Sequence, residues 1–262
     1  MADATNWARF RGPNGTGISD SKNIPIKFSN TENILWKLPL SEVGNSAPII
    51  WDKHLFLHSS LPDGTKRFLH CIDSNSGKLL WKKSFNASVA KTHIKNSLAS
   101  CTPATDGERV YNIIWDGNNI ALYAHDFQGN EVWKKDLGAF NSQHGPGHSP
   151  IVHENKVIFN NDQDGSAQLL AFDSKTGKTL WDIPRKAFRA CYSTPLFNTL
   201  ENGKLELLVA TSAGITSYDA DKGLENWNYT WSFSKMPLRT VASPVVTSGV
   251  IVACSGDGAG DR

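Results

Sequence analysis

The chain has 262 residues with 27 Lys and Arg against 25 Asp and Glu, a formal net charge of +2, and 39% hydrophobic residues. That length can bury a sizeable core within one domain, and so small a net charge does not select nucleic acid or an acidic surface as partner. No apolar run approaches the roughly 18 residues of a membrane-spanning helix, and Met1–Asp20 is polar, without the apolar core of a signal peptide.

In chain order, an N-terminal extension of about 1–32 leads to Asn33–Trp36, which reads as a lone closing strand. Four similar units follow at about 46–81, 97–133, 148–181 and 193–227. A partial unit, 242–262, opens at Ser243-Pro244 with Val245–Val246 and Val250–Ala253 as its first strands. The third unit is the cleanest: Ser149-Pro150, short apolar runs at Ile151–Val152 and Lys156–Asn160, a turn at Asp162-Gln163-Asp164-Gly165, then Leu169–Asp173 and Trp181. Short apolar or alternating runs cut by Asn, Asp and Gly read as strands, and no stretch reads as a helix of useful length.

The units keep register. Asp73, Asp126, Asp173 and Asp219 stand ahead of Gly77, Gly129, Gly177 and Gly223, and Trp81, Trp133, Trp181 and Trp227 follow each Gly by four residues. With Trp36, the Trp separations are 45, 52, 48 and 46 residues. A period of this size with four strands per unit predicts an all-β propeller of four-stranded antiparallel blades. The repeated Asp is a turn residue and the Gly supplies positive φ. A Trp at one position in every unit reads as a wedge between neighbouring sheets rather than a ligand platform.

Other residues carry weaker signals. Asn160, Asp162 and Asp164 imitate the first half of a calcium loop, but Ala171 stands where the closing Glu should be, so a hairpin turn is the better reading. His144 and His148 flank a Gly-Pro-Gly segment, so both imidazoles are expected to be exposed, with no third metal ligand evident. Arg185, Lys186 and Arg189 form the densest basic spot, a candidate anion contact in a solvated connection. Lysines and arginines are otherwise scattered, and Lys82-Lys83 and Lys134-Lys135 read as solvated strand ends. Cys71, Cys101, Cys191 and Cys254 fit no metal spacing and read as buried free thiols, with a Cys101–Cys191 disulfide as the weaker alternative. There is no Gly-x-Ser-x-Gly, and Gly256–Gly260 lacks the Lys-Ser/Thr of a phosphate loop.

Phe172-Asp173-Ser174-Lys175-Thr176-Gly177-Lys178-Thr179-Leu180-Trp181 and its copy Ile72–Trp81 resemble the pyrroloquinoline-quinone-like (PQQ-like) β-propeller repeat proteins. The segment Trp7-Ala8-Arg9-Phe10-Arg11-Gly12-Pro13-Asn14-Gly15-Thr16-Gly17 is similar to the start of a secreted or periplasmic branch of that family. The resemblance implies either of two functions. Quinone-dependent dehydrogenases of the family carry PQQ and calcium on the propeller axis, and the alcohol-oxidising branch has a disulfide between adjacent cysteines. This chain has no adjacent Cys pair and no mappable calcium set. The other branch is an outer-membrane assembly lipoprotein that works as an interaction scaffold; its anchoring Cys is not matched here.

The resulting expectation is a non-catalytic scaffold that binds a protein or polysaccharide partner through loops on one face. A PQQ-dependent oxidoreductase and a carbohydrate-related accessory module are the alternatives. No nucleic acid is expected, and the blade count predicts an incomplete arc of a seven- or eight-bladed ring.

Overall fold

A computed structural model describes residues 6–13, 15–22, 24–94, 96–232 and 236–256. Its elements are all strands. The first sheet comprises β1 (Ile49–Trp51), β2 (His54–Ser60), β3 (Lys66–Asp73) and β4 (Leu79–Asn86), and the second β5 (Ala104–Thr105), β6 (Arg109–Trp115), β7 (Asn119–Asp126) and β8 (Glu131–Ala139). The third comprises β9 (Ile151–His153), β10 (Lys156–Asp162), β11 (Ala167–Asp173) and β12 (Thr179–Pro184). The fourth comprises β13 (Leu196–Thr199), β14 (Leu205–Ala210), β15 (Gly214–Asp219) and β16 (Glu225–Thr230), and β17 (Val245–Thr247) and β18 (Val250–Val252) form a hairpin. Within each sheet, sequential strands pair antiparallel, so each is a propeller blade.

A four-stranded sheet on its own leaves both faces wet, and the cores here form between sheets. Val110 of the second blade packs with Phe56 and Leu69 of the first, Phe159 and Phe172 of the third with Tyr111 and Trp133 of the second, and Leu207 of the fourth with Ile158 and Leu169 of the third. The repeated Trp completes each junction. Trp36, Trp81, Trp133 and Trp181 lie over Gly77, Gly129, Gly177 and Gly223, where an added Cβ would fall 2.5, 3.0, 2.7 and 2.9 Å from the ring. Each indole N–H donates to a carbonyl of the same turn: Ser74 at 2.8 Å, Phe127 at 2.8 Å, Ser174 at 2.9 Å and Asp221 at 3.1 Å. Each of Trp81, Trp133, Trp181 and Trp227 faces a small residue across its own sheet, namely Cys71, Ala124, Ala171 or Ser217, beside a register shift that recurs in all four blades. Trp227 departs from the pattern: it is 37% exposed and donates to Glu206 Oε2 of its own blade at 3.1 Å.

Nearer the axis a second stitch repeats. Ala47 N–H donates to Thr102 Oγ1 at 3.0 Å, Thr102 N–H to Ser149 Oγ at 2.9 Å, and Thr194 N–H to Ser243 Oγ at 2.9 Å. These residues all precede the prolines that lead into the inner strands, so the hydroxyl of one blade satisfies the backbone of the previous one. The N-terminal segment occupies the space inside. Trp7 pairs with Ile50 of β1, the Ala8 carbonyl accepts from Thr105 N–H of β5 at 2.9 Å, and Arg9 Nη2 donates to the Pro195 carbonyl at 2.9 Å.

Two expectations are corrected. Asn33–Trp36 is not a strand, because no neighbouring strand among the described residues supplies a ladder, although Trp36 still covers Gly77. Trp81 and Trp133 do not close their strands. β4 and β8 run on to Asn86 and Ala139, so Lys82, Lys83, Lys134 and Lys135 lie mid-strand, with Lys82 paired to Glu42 at 2.7 Å. The part of the glycine-rich tail after Gly256 lies outside the described residues.

Gly177→Ala and Gly203→Ala separate backbone strain from the Trp contact, since both glycines have positive φ (+69° and +79°) but only Gly177 meets a ring. Urea denaturation is expected to show a loss of about 1 kcal/mol for Gly203→Ala and at least about 2 kcal/mol for Gly177→Ala. Equal losses would mean that the indole contact contributes little.

Candidate functional face

Each blade has two distinguishable ends. Asn86, the last residue of β4, pairs with Lys66 at the start of β3, and Ala87 N–H donates to the Thr65 carbonyl at 3.0 Å. The chain therefore leaves each outer strand beside the turn joining the second and third strands, and crosses there to the next inner strand. Likewise Arg185 N–H reaches the Ala167 carbonyl at 2.9 Å. The opposite end carries the Asp–Gly turns, where Asp73 Oδ1 accepts from Ser76 N–H and Asp173 Oδ1 from Thr176 N–H, each at 2.8 Å. One end is thus built from uniform turns, and the other from long, varied connections, the usual place for function.

Asp164 ties three of those connections together. Its Oδ1 accepts from Ala190 N–H at 2.9 Å, and its Oδ2 accepts from Arg239 Nη2 at 2.6 Å and from Gln143 N–H at 3.3 Å. Beside it Ser142 Oγ meets Tyr192 OH at 3.1 Å, and His144 stands 5.0 Å from the His93 ring. Burial, with Arg239 and His93 nearby, holds the His144 imidazole below its usual range.

The other sequence candidates fall elsewhere. Asn160 and Asp162 are not in a hairpin turn. They lie on β10 and are fully buried, and the turn begins at Gln163, whose N–H donates to the Ser166 carbonyl at 2.7 Å. Asn160 Nδ2 donates to the Ser193 carbonyl of the next connection at 3.0 Å, so a polar residue inside the strand serves the junction between blades. Arg185 is not solvated either: its side chain is 2% exposed, with Nε 3.2 Å from Asp162 Oδ1. The pair sits at ion-pair distance without hydrogen-bond alignment, and burial pushes the Asp162 carboxyl up against the opposing pull of Arg185. Lys186 stays exposed and Arg189 half-buried.

His148, expected to be exposed, is fully buried against Phe159, with ring centroids 4.5 Å apart. All four cysteines are free thiols. Cys71, Cys101 and Cys191 are buried, but Cys254 is exposed, contrary to the expectation for it. Burial pushes the Cys71 and Cys101 thiols up to about 12, so neither is a ready nucleophile.

The family resemblance raises calcium and PQQ on the axis, and the residues there do not fit a divalent cation. Arg9 lies 95% buried between the inner strands, against the Pro195 carbonyl and with no carboxylate partner among the described residues, and a cation site needs acidic oxygens in place of that guanidinium. Asp164 has both oxygens engaged, and among the described residues no three His, Cys, Asp or Glu side chains converge.

Blades of four antiparallel strands, locked by Trp over an Asp–Gly turn, define a PQQ-like propeller repeat protein. The chain belongs to the family described as outer membrane protein assembly factor BamB, whose profile matches residues 26–187 and 118–260. No curated protein matches it by sequence. Among solved structures it is similar to a europium-containing methanol dehydrogenase, with 13% identity, TM-score 0.57, and coverage of 86% of this chain and 49% of that one. BamB from Moraxella catarrhalis gives 18%, 0.51, 76% and 55%, and the quinohemoprotein alcohol dehydrogenase ADHIIG from Pseudomonas putida HK5 gives 17%, 0.52, 74% and 35%. The chain thus spans about half the length of the first two and a third of the last, and the likeness establishes the fold.

Three buried imidazoles make the fold acid-sensitive. Burial pushes His148 down to about 3, and His58 and His125 to about 4. Each stays neutral in the fold while the unfolded chain takes a proton below about pH 6.5, so stability falls as pH drops from there toward the folded values. Urea denaturation at pH 7 and pH 5 is expected to show His148→Leu losing about 2 kcal/mol less than wild type across that interval. An unchanged pH response in the variant would contradict this assignment.

Proposed function

We propose that the chain is a non-catalytic scaffold of the bacterial envelope that binds a protein partner through the connection face. Membership of a family described as an outer membrane protein assembly factor supports this reading. The observation that carries it is the face itself, where Ile94 (94% exposed), Phe188 (45%) and Met236 (45%) stand on three different connections. Large apolar side chains exposed on varied connections suit a contact surface better than a reaction centre, and those at the other end, Leu79, Leu80, Leu180 and Leu224, instead repeat with the uniform turns. A PQQ-dependent oxidoreductase is the rival within the family, and the Arg9 guanidinium on the axis weighs against the calcium ion that such an enzyme carries there.

Affinity capture from an envelope extract tests the reading. Wild type is expected to retain a discrete partner that Ile94→Asp/Phe188→Asp loses, while Lys175→Glu on the opposite end retains it. Recovery of background proteins only, or equal capture by the face variant, would count against a scaffold that uses this face.

A further inference from the structure

The near-neutral net charge conceals a bias in the connections between blades. The connections 87–103, 140–150, 185–195 and 231–244 contain seven Lys and Arg residues and no Asp or Glu. The turns that share this end add Asp63, Asp116 and Asp164, and the opposite end mixes the turn acids Asp73, Asp126, Asp173 and Asp219 with Lys53, Lys78, Lys175, Lys178 and Lys222, so the bias lies in the connections themselves. Residues scattered along the sequence are thus collected in space, because the chain returns to the same face once per blade.

Five of the seven bases are among the described residues. Asp162 neutralises Arg185 and Asp164 neutralises Arg239. Lys91, Lys186 and Arg189 have no carboxylate partner among the described residues. Two of these three touch an apolar side chain: Lys186 Nζ lies 5.2 Å from the centre of the Phe188 ring, and Arg189 Nη2 lies 3.3 Å from Met236 Sδ. Lys91 stands three residues before Ile94. Basic and apolar groups are therefore neighbours at these positions of the face.

A groove of about 460 Å³ opens between the third and fourth blades, lined by Pro184, Lys186, Thr211, Tyr218 and Tyr229, with Glu225 as its acid. We propose, on the basis of the scaffold reading above, that this face docks an extended partner segment in which Asp or Glu alternates with apolar residues. The free cations would meet the carboxylates, Phe188 and Met236 the apolar side chains, and the groove would take one of the latter. The Arg239 guanidinium of this face already holds the Asp164 carboxylate at 2.6 Å, which is the chemistry the segment would reuse. A groove between blades admits the side chains of a single strand of chain, whereas a bilayer surface cannot enter it.

Fluorescence anisotropy with a labelled peptide of alternating Glu and Leu tests the proposal, with a Gln-for-Glu twin and phosphatidylglycerol vesicles as comparison arms. The Glu peptide is expected to bind, and to weaken about tenfold in Lys91→Glu/Lys186→Glu/Arg189→Glu and again on raising the salt. The opposite-end variant Lys175→Glu/Lys178→Glu/Lys222→Glu should bind as wild type does. No binding of the Glu peptide, equal binding of its Gln twin, equal affinity in the face variant, or binding to vesicles alone would each overturn it. A partner captured from extract equally by wild type and by this triple face variant would leave the scaffold reading standing and sink this one.

Discussion

The contact on which the rest of the structure depends is an indole laid over a glycine of the next blade. An antiparallel sheet of four short strands gains stability only when both of its faces are covered, and the buried clusters all straddle a blade boundary. The Trp covers the outer part of that boundary with a large planar surface. Its N–H, aimed at a carbonyl of the neighbouring turn, fixes how far the two sheets slide past each other. Glycine is required on the other side for two reasons at once: the turn needs positive φ, and a Cβ would strike the ring. With the Ser/Thr hydroxyl relay near the axis, the first, second and third blades are pinned to one another at both radii, which leaves the connections between them free to carry chemistry.

Much of this scaffold was legible in the sequence, because its signals are local. Asp-to-Gly turns, alternating runs and a Trp four residues after each Gly are all written within one unit. The small residue opposite each Trp was equally available, since Cys71, Ala124, Ala171 and Ser217 all stand two residues before the turn Asp, yet its meaning depends on a cross-strand partner. Where local chemistry and tertiary context disagreed, context won. Asn160–Asp162 has the composition of a turn but lies in a buried strand, because Asn160 and Asp162 find partners on the next connection. Asn33–Trp36 has the composition of a strand but lacks a neighbour to pair with.

The face was harder to read for a different reason. Nothing in a one-dimensional scan joins Lys91, Lys186, Arg189 and Arg239, which lie up to about one hundred and fifty residues apart. A net charge of +2 does not reveal that the four inter-blade connections together carry bases and no acids. Cations brought together on the connections attract an acidic partner within about a Debye length, before any contact forms.

The axis and the face then divide the possible functions between them. In a blade array the axis is where polar groups from every blade converge, and here the N-terminal segment occupies it, stitched to β1, to β5 and to the Pro195 carbonyl. A buried guanidinium with no carboxylate beside it among the described residues is costly to keep, and it makes the same space hostile to a second cation. The connections stand in the opposite situation, with cations that have no carboxylate partner among the described residues and apolar side chains in contact with them. Groups left unpaired at a surface can be satisfied by a partner without breaking anything within the fold. Binding energy for a second molecule is therefore available on the connection face, whereas on the axis the chain has already used it to hold itself together.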